Sequence, residues 1–114
     1  GCDDALWLDG GGRILETAGA NIFAVDRSGA VLTPPVSRGL LPGVVRAAIL
    51  REFPGAREAL VDLTALADAA EVFITNSLIG VLPVAAVDGH KFDVASYRLA
   101  PAVAECVRRA EVAA

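Results

Sequence analysis

Lysine occurs once in this sequence, at Lys91, and histidine once, at His90. Cysteine occurs twice, at Cys2 and Cys106, with no CxxC spacing and no histidine cluster nearby. That pattern offers no metal site, and it reads as two ordinary thiols in a reducing, cytoplasmic setting rather than a disulfide framework. Basic residues are scarce, with no patch beyond Arg108-Arg109, and the net charge is −4. Nucleic-acid partners are excluded on that basis, because phosphate backbones demand clustered Lys and Arg. No apolar run reaches the roughly 18 residues that span a bilayer, and no signal peptide opens the sequence, so no membrane role is expected. Disorder is excluded as well: 54% of the residues are hydrophobic, far above what solvated chains carry. What remains is one globular domain of 114 residues, large enough for a real core.

Local patterns place the elements. Ala5 to Leu8 and Arg13 to Glu16 read as strands joined by Asp9-Gly10-Gly11-Gly12, residues that tolerate positive φ. Asn21 to Val25 and Ala30 to Leu32 form a second pair around Asp26-Arg27-Ser28-Gly29, ended by Thr33-Pro34-Pro35. From Gly43 the residues Val44, Val45, Ala48, Ile49 and Phe53 fall on one helical face, and Pro54-Gly55 stops that helix. A strand is expected over Ala59 to Asp62, and a short helix over Thr64 to Ala70 with Thr64 as its N-cap. Glu71 to Thr75 and Val81 to Val87 read as buried strands, Asp88-Gly89 as a turn, and Ser96 to Val112 as a terminal helix. Strands and helices mix without regular βαβ alternation, which gives an α+β domain.

Three segments carry chemistry. Glu16 is a carboxylate at a strand end, ordinarily a solvated charge, but Ala18-Gly19-Ala20 beside it let a ligand or another backbone approach closely. Asn21 can fix that turn through side-chain to backbone hydrogen bonds. Gly39-Leu40-Leu41-Pro42-Gly43 opens a helix. By default it is a plain turn, but the exposed amides at a helix start also hold phosphate, aided by the helix dipole. Thr75-Asn76-Ser77 sets small polar residues between two apolar runs, by default a loop.

Together the three segments resemble the large C-terminal domain of the fold-type IV pyridoxal-phosphate enzymes, a family that includes branched-chain and D-amino acid aminotransferases and aminodeoxychorismate lyase. In that family a glutamate is followed five residues on by asparagine and seven on by phenylalanine, as Glu16, Asn21 and Phe23 are here. The resemblance covers nearly the whole chain. It implies an α+β fold of the D-amino acid aminotransferase type, with mixed and antiparallel sheets forming a pseudo-barrel with flanking helices. It also implies pyridoxal 5'-phosphate as cofactor, held by Glu16, Val44, Val45, Asn76 and Ser77. Glu16 would keep the pyridine nitrogen protonated, since an adjacent opposite charge favours the charged form. Val45 stands where the family often has threonine, so the backbone amides persist while a hydroxyl contact is lost. Arg46 is expected in a structural ion pair on the helix more than on phosphate.

The Asn76-Ser77-Leu78 stretch with Gly80 and Pro83-Val84 looks most like the lyase branch, which eliminates pyruvate from aminodeoxychorismate to give 4-aminobenzoate for folate synthesis. A branched-chain or D-amino acid aminotransferase is the alternative, and a non-catalytic remnant used for binding or assembly a third. The family's catalytic lysine lies upstream of the segment that matches Gly1. The single domain, residues 1–114, is therefore expected without the small N-terminal domain and without a catalytic residue of its own, hence inactive alone. Lys91 and His90 match no family position and read as solvent-facing. The expected partners are an amino acid or aminodeoxychorismate substrate and a second copy of the chain or a companion N-terminal polypeptide.

Overall fold

Asn21–Val25 is buried at all five positions, which makes it a central strand whose two side-chain faces both meet protein. In the computed structural model, which describes residues 6–8, 14–17, 20–35, 43–77, 80–87 and 89–113, this strand (β3) is the middle of a five-stranded sheet. The first two strands, β1 (Leu6–Leu8) and β2 (Ile14–Thr17), pair antiparallel as a separate sheet, with Trp7 opposite Glu16 and a register shift between Trp7 and Leu8. The turn expected at residues 9–12 lies outside the described residues. β4 (Val31–Thr33) pairs antiparallel with β3, and β5 (Ala56–Glu58) pairs parallel with β4. Between those two strands runs helix α1 (Val44–Glu52), the crossover a parallel pair needs. β6 (Glu71–Asn76) lies on the other side of β3, and β7 (Gly80–Pro83) beyond it, both antiparallel. The order is β5-β4-β3-β6-β7, with a further two-stranded sheet of β8 (Ala86–Val87) and β9 (His90–Lys91). The domain is α+β as expected; among the described residues the strands form open sheets and no closed barrel.

Alternation along β3 and β6 divides the core in two. On one face Phe23, Val25, Val31 and Phe73 pack with Val45 and Ile49 of α1 and with Ala100, Val103 and Val107 of helix α3 (Leu99–Ala113). Phe23 and Phe73, directly opposite in register, stack with ring centroids 5.0 Å apart and planes 6° apart. On the other face Ile22, Ala24 and Val72 pack with Val61, Leu66 and Ala69, around helix α2 (Leu63–Ala67). The β3–β4 turn is held by Asp26, whose Oδ1 accepts from the Ser28 amide, the Ser28 hydroxyl and the Ala30 amide. The Ser28 hydroxyl foremost, then the Ala30 amide, holds the Asp26 carboxyl below its usual range. That contribution is present at neutral pH and fades as pH falls through the lowered value.

Several boundaries differ from the sequence expectation. The strand expected over Ala59 to Asp62 lies three residues earlier, because the Gly55 carbonyl already accepts from Val31 and draws the chain into the sheet. Asp62, not Thr64, caps α2: its side chain accepts from the Ala65 amide. The run Val81 to Val87 splits into β7 and β8: the Val84 amide still donates to the Val72 carbonyl of β6, and from Ala86 the chain pairs with β9 instead. The terminal helix starts at Leu99 after a 3₁₀ turn at Val94–Ser96. Val44 does not join the apolar face of α1: it is 78% exposed, and Arg46 is buried in its place.

Glu71 organises the start of α3. It is buried at the first position of β6, and its carboxylate accepts from the amides of Arg98, Leu99 and Ala100. Tyr97 ties the same corner together, donating to the Val84 carbonyl and accepting from the Val72 amide. Burial pushes its phenol above the ordinary value, so it stays a neutral donor.

Candidate functional site

One end of the central sheet gathers most of the segments that the sequence singled out. β2, which carries Glu16, lies against β3; the side chain of Glu16, and Ala18 and Gly19, lie outside the described residues. β3 opens with Asn21, which is buried and stands opposite Thr75 of β6. Asn76, partly buried, ends β6 opposite Gly80, and Ser77 follows, exposed. Paired residues of an antiparallel ladder share a face, so Asn21 and Thr75 stand on the same side as Phe23 and Phe73, the side covered by α1.

α1 brings its N-terminus to this end. Gly43 is its N-cap, with no side-chain cap hydrogen bond. The first bond of the helix runs from the Ala47 amide to the Gly43 carbonyl, so the amides of Val44, Val45 and Arg46 have no acceptor within the helix. Gly43 approaches Asn21 so closely that a Cβ on it would stand 2.2 Å from Asn21 Oδ1. The Val45 side chain is 4% exposed and packs in the core; a hydroxyl there would have to be satisfied away from water. Thr75 is fully buried, and its Oγ1 has no hydrogen-bond partner.

Arg46 makes an ion pair, as expected, but not along its helix. Its Nη2 donates to Glu58 Oε2 of β5 at 2.5 Å and to the Pro34 carbonyl at 2.9 Å. The pair joins α1 to β5 and to the end of β4, and it commits the guanidinium to the scaffold. His90 and Lys91 are exposed on β9, as expected, with His90 edge-on to Phe92 at 4.9 Å. Arg108 and Arg109 both pair with Glu105 on the outer side of α3. Among the described residues no group of His, Cys, Asp and Glu could hold a metal ion, and no helix is long and apolar enough to cross a membrane.

Two positions escaped the sequence reading. Glu71 looked like an ordinary strand start, and its role depends on donors nearly thirty residues away. Gly43 looked like a turn glycine, yet its φ of −63° and ψ of 147° suit any residue, so only the close approach of Asn21 requires it.

The chain is similar to known proteins in sequence and in fold. A family model described as amino-transferase class IV matches residues 1–87. The branched-chain-amino-acid aminotransferase of Escherichia coli strain K12 is 36% identical over 93 residues, which are 78% of this chain and 30% of that protein. Among solved structures, 4-amino-4-deoxychorismate lyase from Pseudomonas aeruginosa superposes with a TM-score of 0.84 at 29% identity, covering 96% of this chain and 41% of that one. A branched-chain amino acid aminotransferase structure from Escherichia coli gives a TM-score of 0.80 at 30% identity, covering 88% of this chain and 34% of the other. The chain thus spans less than half the length of these relatives.

Proposed function

The chain belongs to the class IV aminotransferase family, and from that premise we propose that it is the cofactor-holding domain of a pyridoxal-phosphate enzyme of the 4-amino-4-deoxychorismate lyase type. The observation that carries the cofactor part is the corner where α1 begins. An uncapped helix start, a glycine whose missing side chain lets the sheet end approach, and an unpartnered buried hydroxyl at Thr75 meet there. Such a corner fits a phosphate, because backbone amides and the helix dipole both favour an anion. In this reading the Val44 and Val45 amides donate to phosphate oxygens, with Ser77 and Asn76 closing from the β6–β7 side. Exposure of Ser77 and of the Val44 side chain keeps that approach open. Glu16 holds the proton on the pyridine nitrogen. When bound, the cofactor supplies an electron sink for bond cleavage at the substrate α-carbon.

The lyase reading rests on the Asn76-Ser77-Leu78 stretch and on likeness to the Pseudomonas lyase along almost the entire chain. A branched-chain aminotransferase is the second reading, favoured by the 36% identity to the Escherichia coli enzyme. Either activity belongs to the whole protein, in which a further domain and a second copy of the chain would close the site. Lys91 is exposed on the β8–β9 hairpin and is not assigned the covalent role that family enzymes give to a lysine.

Two assays separate the readings. The whole protein given aminodeoxychorismate should release pyruvate and 4-aminobenzoate. It should form little glutamate from branched-chain amino acids and 2-oxoglutarate. The 114 residues by themselves should be silent in both. Efficient glutamate formation without 4-aminobenzoate would establish the transaminase instead, and turnover by the 114 residues alone would overturn the placement of the lysine elsewhere.

A further inference from the structure

Gly43 has no conformational need to be glycine, since its backbone is in the ordinary extended region. Its need is spatial. A Cβ would meet Asn21 Oδ1 at 2.2 Å and Asn21 Cγ at 3.4 Å, so the first side chain of β3 rests against the backbone that starts α1. Asn21 is only 7% exposed and is braced from below by the β3–β6 pairing with Thr75. The Thr75 hydroxyl on the same face has no partner. A buried hydroxyl without a partner is costly to leave unmet, and it lies on the same face of the sheet as Asn21.

We propose that Asn21 is a positioning residue for the phosphate-binding turn: with Gly43 it forms a size-matched pair that sets how closely the first turn of α1 meets the sheet, and hence where the Val44 and Val45 amides point. The inference rests on reading that turn as the phosphate holder. A shift of the helix start moves both amides together, and hydrogen bonds weaken steeply once their angle falls off. Asn21 touches no ligand in this account; it acts through Gly43.

The test compares two ligands on the whole protein: pyridoxal 5'-phosphate, and pyridoxal, which lacks the phosphate. General damage lowers affinity for both, whereas a displaced turn lowers the preference for the phosphorylated one. Gly43→Ala should reduce that preference about tenfold and Asn21→Ala about threefold, each tenfold step being 1.4 kcal/mol. The double variant Gly43→Ala/Asn21→Ala should recover to about the Asn21→Ala level, because removing the amide makes room for the new methyl; coupling of this kind marks residues in contact. Should Gly43→Ala not fold, Asn21→Asp carries the test. It keeps the size but sets a negative charge beside the turn, and should lower the phosphate preference about tenfold or more while pyridoxal binding holds. Additive losses in the double variant, equal losses for both ligands, or an unchanged preference in Asn21→Asp would overturn the pairing. If the unmodified protein itself shows no preference for the phosphorylated ligand, the reading of α1 as the phosphate holder fails instead, and the pairing with it.

Discussion

Glu16→Gln in the whole protein should lower turnover about a hundredfold, the scale on which single charge-stabilising groups act, while leaving cofactor occupancy close to unchanged. The amide matches the carboxylate in size and can still meet the pyridine nitrogen, but it carries no charge to keep that nitrogen protonated. The phosphate contacts proposed for Val44, Val45 and Ser77 lie on other elements, α1 and the end of β6, and are untouched by the change. The loss therefore belongs to kcat and not to the dissociation constant of pyridoxal 5'-phosphate. β2 places Glu16 opposite Trp7 and beside the strand that opens with Asn21, which ties it to the same sheet end. Wild-type turnover at saturating cofactor would remove Glu16 from the pyridine role.

Glu71→Ala should destabilise the domain by about 3 kcal/mol, a sum over three backbone donors at about 1 kcal/mol each. The carboxylate accepts from Arg98, Leu99 and Ala100, which are among the donors that a helix start leaves without intrahelical partners. Alanine leaves them without an acceptor in a corner that is partly buried at Arg98 and Leu99 and buried at Ala100. The consequence spreads, since α3 contributes Ala100, Val103 and Val107 to the core beside Phe23 and Phe73. Glu71→Gln keeps one acceptor oxygen and should cost about half as much. Urea unfolding of the three proteins measures the series, and hydrogen exchange at the Ala100 amide locates it. A loss below about 1 kcal/mol for Glu71→Ala would show that α3 docks without this cap.

Local signals made much of this legible. The Asp26 to Gly29 turn carries its own chemistry in the Asp26 side chain, and the helix after Gly43 shows its period through Val45 and Ile49. Failures occurred where a residue serves a distant partner. Arg46 was expected to find its ion pair along α1, but its partners are Glu58 of β5 and the Pro34 carbonyl, which take it inside. Val44 then lost its expected place because Arg46, not Val44, faces the neighbouring strands. Asp62 took the cap of α2 from Thr64, a choice between adjacent polar residues that hydrophobic period does not decide. Strand order was not readable either, since β3 pairs with β6 across a long stretch of chain and only packing selects that partner. In the candidate site, the motifs at Gly43 and Thr75 to Ser77 gave the position of the corner. The fit of Asn21 against Gly43 is a tertiary contact between a strand start and a helix start, which no spacing encodes.

In the proposed function the start of α1 holds the phosphate of a pyridine cofactor. A crystal structure of the whole protein grown with pyridoxal 5'-phosphate tests it most directly. The phosphate should lie within hydrogen-bonding distance of the Val44 and Val45 amides, with Ser77 on its other side and the Glu16 carboxylate at the pyridine nitrogen. A phosphate bound elsewhere, with the amides of Val44 and Val45 meeting only water, would contradict it.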